Sequence, residues 1–378
     1  MLTTLSARRL VTDRDEIDYP VISIEDGKIL RMEEGTPNGS TETLTASFFD
    51  IHVHGALAHD FMAASPAEIM EVGGFLARRG VAHYLPTTVT ASINLTLRAL
   101  DHLADAIEVT GEGEAQGAVA VPVGIHLEGP FVSHAKRGCH PEASICEPSV
   151  ELFDRFQQAA RGHIRLLTLA PELPQALELI EHVTASGVRV SIGHSMATEE
   201  ETVAAINAGA TSSTHLFNAM RTLDHRYPGI AETVLDRQDV YAELICDGVH
   251  VHPAFVRIWL KIKGEERAIL VTDGMSATGM PDGSYMLGDL TVEVKNGICQ
   301  LGETLAGSVL TMDKAVANVR WFTGTSLATA VRLASRNPAR MVGMPYLTEM
   351  APGTPANFNV FNETGERTGS IFHGRLIT

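Results

Sequence analysis

From about residue 47 the chain alternates short apolar runs with longer segments of helical period. Residues 48–51, 124–127, 188–193, 211–214 and 268–272 read as buried strands, and 67–79, 174–186, 198–208, 253–263 and 327–335 as helices. Thr198 followed by Glu201 is a capping-box signal for the start of its helix. Strand–helix units repeated over roughly 280 residues predict a (β/α)8 TIM barrel. An open doubly wound sheet is the alternative, but it gathers reactive residues at one switch point, and here they are spread over several strand ends.

The two ends of the chain follow another rhythm. Residues 21–24 and 29–32 flank Asp26-Gly27 and predict a β-hairpin whose turn needs positive φ. Residues 356–362 alternate, and 370–378 read as one further strand around Gly374. The simplest architecture joins residues 1–46 and 343–378 in a small β-sandwich domain beside a barrel of residues 47–342.

Candidate chemistry sits at the strand ends. In His52-Val53-His54 the two imidazoles share one strand face. Other apolar runs end in Glu128, His194, His215 and Asp273. Hydrolysis at neutral pH needs a nucleophile better than water, and a divalent metal supplies one by acidifying a bound water. Two histidines and a carboxylate (His194, His215 and Glu128) leave a coordination position open for it. Asp273, at the mouth of a very apolar strand, is placed to move a proton, although a turn aspartate before Gly274 is the plainer explanation of it alone. His126, two residues before Glu128 on the same face, and Asp60, soon after the His-x-His pair, are weaker candidates.

Charge and cysteine content narrow the partners. Lys and Arg total 29 against 46 Asp and Glu, a net charge of −17, which disfavours nucleic acid and anionic membranes. Any anionic substrate would need local positive potential. No apolar run approaches the roughly twenty residues of a membrane span, and residues 1–10 lack a signal-peptide core. The four cysteines form no Cys-x-x-Cys pair, so neither a disulfide framework nor a zinc ribbon is expected. The cytoplasm is the expected compartment.

Six motifs occur in order: His-Leu-Glu-Gly-Pro-Phe (126–131), Lys-Arg-Gly-Cys-His-Pro (136–141), Gly-His-Ser (193–195), Thr-His-Leu-Phe-Asn-Ala-Met (214–220), Asp-Gly-Val-His-Val (247–251) and Val-Thr-Asp-Gly-Met (271–275). Together they resemble the N-acetylglucosamine-6-phosphate deacetylase family of the amidohydrolase superfamily, over roughly residues 20–375. The resemblance implies a distorted (β/α)8 barrel with a β-sandwich built from both termini, and removal of acetate from the sugar's 2-acetamido group. It implies Glu128, His194 and His215 as metal ligands, Asp273 as acid/base, and His140 as the group polarising the acetamide carbonyl. It further implies Asn218, Ala219 and His250 near the phosphate, and Leu305, Ala306 and Gly307 along the sugar pocket. Arg226 would complete the neighbouring subunit's site in a homodimer. Cys139 beside His140 is either a packing residue or a substrate contact. The His52/His54 pair separates family members and allows a second metal bridged by Glu128, so one or two ions per subunit are expected, zinc foremost, with iron, manganese and cobalt compatible. The competing readings are another amide or cyclic-amide hydrolase of the superfamily, such as a dihydroorotase-like enzyme or a deacetylase of a different amino sugar, and a non-catalytic sugar-binding barrel.

Overall fold

The computed structural model describes residues 2–12, 15–112 and 119–377. Eight parallel strands follow one another around a barrel: β1 (Phe48–Val53), β2 (Val81–Thr88), β3 (Ile125–Glu128), β4 (Ile164–Leu169), β5 (Arg189–Ile192), β6 (Ser212–Ser213), β7 (Tyr241–Ile245) and β8 (Ala268–Val271). The ring closes where Val53 bridges Gly274 and the Asp273 N–H donates to the His52 carbonyl at 2.9 Å. Such strands are covered on both faces, which explains their near-continuous apolar sequences: every residue of β1, β2, β3 and β8 is buried.

Helices pack outside the strands, several of them started by a side-chain cap. In α1 (Pro66–Arg78) the Ser65 side chain and Glu68 form a reciprocal capping box, Pro66 occupies the first turn, and Ile69, Val72, Phe75 and Leu76 turn inward. Gly73 lies so close to the Ala120 carbonyl that a Cβ would come within 2.7 Å. The capping box expected at Thr198 and Glu201 is present at the start of the helix Glu199–Ala208.

Both chain ends build the accessory β-structure. A three-stranded sheet holds Leu2–Ser6, Pro20–Glu25 and Lys28–Glu34. The expected hairpin turns at Asp26 (φ 48°) and Gly27 (φ 78°). A six-stranded sheet pairs Thr43–Ala46 with Phe358–Phe361, so the first and last parts of the chain share it. Leu10, Ile22, Ile24, Leu44, Phe358 and Val360 fill the space between. One expectation is corrected. Residues 370–378 are not a single strand: Arg367–Phe372 and Arg375–Ile377 form an antiparallel hairpin, because His373 (φ 48°) and Gly374 (φ 72°) adopt successive left-handed conformations that reverse the chain. Thr378 lies outside the described residues.

The sequence pattern also did not foreshadow an antiparallel flap inserted after β8. Its strands are Gly283–Leu287, Leu290–Lys295, Ile298–Leu301 and Thr304–Leu305. It carries its own apolar cluster, including Val89, Met275, Leu287, Val292 and Ala306. Asp60 latches it to the rim, accepting from the N–H of Gly288 at 2.8 Å and of Met62 at 2.7 Å.

Candidate active site

The carboxyl ends of the barrel strands bring together the histidines and carboxylates singled out in the sequence. Glu128 Oε1 lies 3.3 Å from both His194 Nε2 and His215 Nε2, and these two nitrogens are 3.0 Å apart. Glu128 Oε2 lies 3.3 Å from His54 Nε2, which is 3.3 Å from His52 Nε2. Asp273 Oδ1 completes the cluster, 3.1 Å from His54 Nε2 and 3.4 Å from His52 Nε2. Two groups able to hold a metal ion result, His52/His54/Glu128 and Glu128/His194/His215, with Glu128 common to both.

The donor set fits such an ion. Around a tetrahedral metal with ligands at about 2.0–2.1 Å, neighbouring ligand atoms sit about 3.3 Å apart. His54 Nδ1 lies 3.2 Å from the Thr87 carbonyl and His194 Nδ1 3.0 Å from the Lys136 carbonyl. A carbonyl only accepts, so both rings carry their proton on Nδ1 and turn an Nε2 lone pair inward. Lone pairs converging on a buried carboxylate oxygen without a hydrogen-bond donor, as Glu128 Oε1 is, are the arrangement a cation relieves.

Backbone conformation aims these groups. His194 (φ 48°), His215 (φ 28°) and Asp273 (φ 52°) all leave their strands in the left-handed region, as do Phe217 and Ala219 just beyond. Non-glycine residues hold such angles only where the surroundings impose them.

The electrostatic field favours positive charge at the centre. The carboxylates favour a positive charge at His54 Nε2, proton or metal ion alike: burial opposes it, yet hydrogen bonding and attraction to Asp273 and Glu128 lift the pKa of the ring to about 9. Burial likewise works against the Glu128 and Asp273 anions, and the facing histidines overcome it, holding both below the usual carboxylate range. His140 differs: burial, then repulsion from His194, push it down to about 3, so it is neutral. Burial, reinforced by Glu128 and Asp273, pushes the Cys139 thiol up to about 12, which leaves it a poor nucleophile.

A cleft of about 310 Å³ opens over the cluster, within the size range of small-molecule sites. Its walls include Lys136, Cys139, His140, Asn218, Ala219, His250, Leu305 and Gly307, with Leu287 and Thr304 supplied by the flap. His250 is oriented by Asp247, whose carboxylate approaches its Nδ1 at 2.6 Å. This ion pair outweighs burial and raises the imidazole's pKa.

Residues 43–377 match the model of the Amidohydrolase family. The chain belongs to that family. Among its relatives, an N-acetylgalactosamine-6-phosphate deacetylase of Escherichia coli is 36% identical, with 94% of each chain aligned. The N-acetylglucosamine-6-phosphate deacetylase of Bacillus subtilis is 35% identical over 89% of this chain and 86% of its own. Among solved structures, an aspartate-to-alanine variant of the Mycobacterium smegmatis N-acetyl-D-glucosamine-6-phosphate deacetylase, in complex with N-acetyl-D-glucosamine-6-phosphate, superposes with a TM-score of 0.93 at 33% identity, covering both chains completely. The Thermotoga maritima N-acetylglucosamine-6-phosphate deacetylase gives 0.90 at 33% identity, covering 100% of this chain and 99% of its own.

Within this amidohydrolase, two expected site residues lie apart from the cleft. Ala306 is fully buried in the flap's apolar cluster, while its neighbours Leu305 and Gly307 face the cavity. Arg226 is exposed on the loop before Gly229, its N–H bonded to Asp224. Of the weaker candidates, His126 bonds to Ile51 O and Thr168 Oγ1 inside the barrel, and Asp60 serves as the flap latch.

Sequence reasoning missed three groups. Lys136, a cation on the cleft wall, stood unremarked inside its motif. Glu243 is wholly buried on β7, with Oε1 accepting from Ser191 and Ser212 and Oε2 at 3.8 Å from His52 Nδ1. Thr90 touches His140 at 2.6 Å. An acidic residue inside an apolar strand run was the available signal for Glu243, whereas Thr90 has none.

Proposed function

We propose that this chain hydrolyses N-acetylglucosamine 6-phosphate to glucosamine 6-phosphate and acetate. The observation that carries the reading is the sharing of Glu128 between two metal-capable triads, with Asp273 beside them at the floor of a cleft sized for one sugar phosphate. The likeness to deacetylases, one of them solved with the N-acetylated sugar phosphate, supports it.

In this reading Glu128, His194 and His215 would hold the primary divalent ion, zinc by preference and iron, manganese or cobalt as substitutes, and His52 and His54 would add a second place. A bound ion would supply Lewis-acid polarisation of the amide and a water acidified towards neutrality. Asp273, kept ionised by its histidine neighbours, takes a proton from the attacking water and hands it to the departing amine. His140 donates to the acetamide oxygen as negative charge develops there. Asn218, Ala219 and His250, with Lys136 nearby, hold the phosphate end, while Cys139, Leu305 and Gly307 wall the sugar and Ala306 supports that wall.

The same reading makes the protein a cytoplasmic homodimer in which Arg226 serves the neighbouring cleft. The exposed apolar side chains of Leu223, Tyr227, Val249 and Phe255 suit a surface covered by a second copy. Domain boundaries at about residues 46 and 343 would separate the sandwich from the barrel. Among the described residues no helix is long and apolar enough to cross a membrane.

A second reading, N-acetylgalactosamine 6-phosphate as substrate, is favoured by the relative aligned over 94% of both chains. Acetate release from both epimers, with and without chelator, tests the two together. Chelator-sensitive release faster from the glucosamine epimer supports the first reading, and the reverse order supports the second. Release from neither sugar, or release insensitive to chelator, sinks both.

A further inference from the structure

His140 has two ring nitrogens, and only one of them can serve the carbonyl. Its Nε2 faces the cleft floor, 3.8 Å from Glu128 Oε2 and thus beyond hydrogen-bond reach. Its Nδ1 faces Thr90, on the segment that follows β2. The Thr90 backbone N–H points at Nδ1 with a separation of 3.3 Å, and the Thr90 hydroxyl oxygen lies 2.6 Å from the same nitrogen.

A backbone N–H only donates, so an Nδ1 facing it must present a lone pair. With Nδ1 unprotonated the ring is neutral, and its single proton resides on Nε2. The threonine hydroxyl, free to rotate, donates to the same lone pair. We propose that Thr90 is a positioning residue that locks His140 in the Nε2–H tautomer, reserving that proton for the acetamide oxygen. The opposite tautomer would set two N–H groups against each other at Thr90 and offer a lone pair to a developing oxyanion.

The surroundings support a built device rather than a chance contact. Thr90 and His140 are both almost wholly buried. Gly129, directly after the shared carboxylate Glu128, has φ 77°, and a Cβ there would come within 2.2 Å of Thr90 Oγ1. Glycine at this position makes room for the hydroxyl. The backbone that carries the ring is also anchored: the His140 main-chain N–H donates to the Arg137 carbonyl at 3.0 Å, and the Arg137 guanidinium donates to the His140 main-chain carbonyl at 2.9 Å.

The inference rests on the deacetylase reading for the role of the proton, but the tautomer itself does not. Zinc-loaded protein labelled with 15N-histidine, with His140 assigned by loss of its signals in His140→Gln, reads the tautomer directly. A protonated Nε2 and an unprotonated Nδ1 are expected, and the reverse pattern overturns the proposal. In Thr90→Val the hydroxyl is gone while shape and backbone N–H remain, so kcat should fall about 10–100-fold with KM within about twofold and metal content unchanged. Thr90→Ser should recover most of that loss. An equal loss in the serine and valine variants, or an unaltered kcat in valine, refutes the positioning role. The expected tautomer in a protein that releases acetate from neither N-acetylhexosamine phosphate would overturn the functional reading alone.

Discussion

Asp50 and Thr272 tie the first barrel strand to the end of the last. The Thr272 hydroxyl donates to Asp50 Oδ2 at 2.5 Å, while Oδ1 lies 3.4 Å from the Thr272 N–H and 3.3 Å from the His52 N–H. The seam of the barrel and the start of the metal-capable cluster therefore share one buried carboxyl.

That carboxyl predicts a pH dependence. Burial, only partly offset by the bonds from Thr272 and His52, raises its pKa from 3.8 to about 6. Between those values the folded state binds more protons than the unfolded one, so stability falls as pH rises through about 4 to 6 and this contribution is constant above. Asp50→Asn, which cannot titrate, should remove this component of the slope. Urea unfolding of both proteins across the window checks it, and an identical slope would show that Asp50 is already ionised in the native seam.

Metal content should follow the two triads separately. His194→Ala or His215→Ala should lose most bound metal and activity, whereas the double variant His52→Ala/His54→Ala should lose only any second equivalent. Elemental analysis decides. Full metal content in both single variants would exclude Glu128/His194/His215 as the primary site.

Asp273→Asn keeps the shape of the side chain and removes its basicity. A fall in kcat of about 10²-fold or more is expected, with substrate still binding. A near-normal kcat would remove Asp273 from the chemistry.

Arg226 separates a shared site from a self-contained one. Arg226→Ala should weaken binding of the phosphorylated sugar by about 1.5–3 kcal/mol, the worth of one charge-assisted contact, and barely affect unphosphorylated N-acetylglucosamine. Mixing Asp273→Asn with Arg226→Ala protomers should restore partial activity, each intact cleft drawing Arg226 from its partner. A strictly monomeric protein, or equal losses for both sugars, contradicts the exchange.

What the sequence made legible follows from which interactions are local. Strand period, the Thr198/Glu201 cap and the Asp26-Gly27 turn depend on near neighbours, and each appears where the pattern places it. The cluster was legible because Glu128, His194, His215 and Asp273 end apolar runs, and a parallel barrel gathers strand ends on one rim. The flap was not, since its strands alternate like any exposed hairpin and say nothing of where they fold back. Nor was Thr90, whose contact with His140 spans 50 residues and leaves no trace in residue type. The tail hairpin failed for the converse reason: His373 at φ 48° is an unusual turn residue, and a reading that counts glycines sees only Gly374.

The left-handed backbone at His194, His215 and Asp273 sets two demands against each other. Each such residue holds a conformation costing on the order of 1–3 kcal/mol, tolerable only because the rim imposes it. Replacing His215 by glycine should therefore yield a metal-poor protein more stable than His215→Ala by about 1 kcal/mol, measurable by urea denaturation of both variants in chelator, and equal midpoints would place the strain elsewhere. Ease of backbone and coordination chemistry therefore ask for different residues here: glycine would relax the rim and empty it of a ligand, so the imidazoles and the carboxylate stand against the local preference of their own backbone.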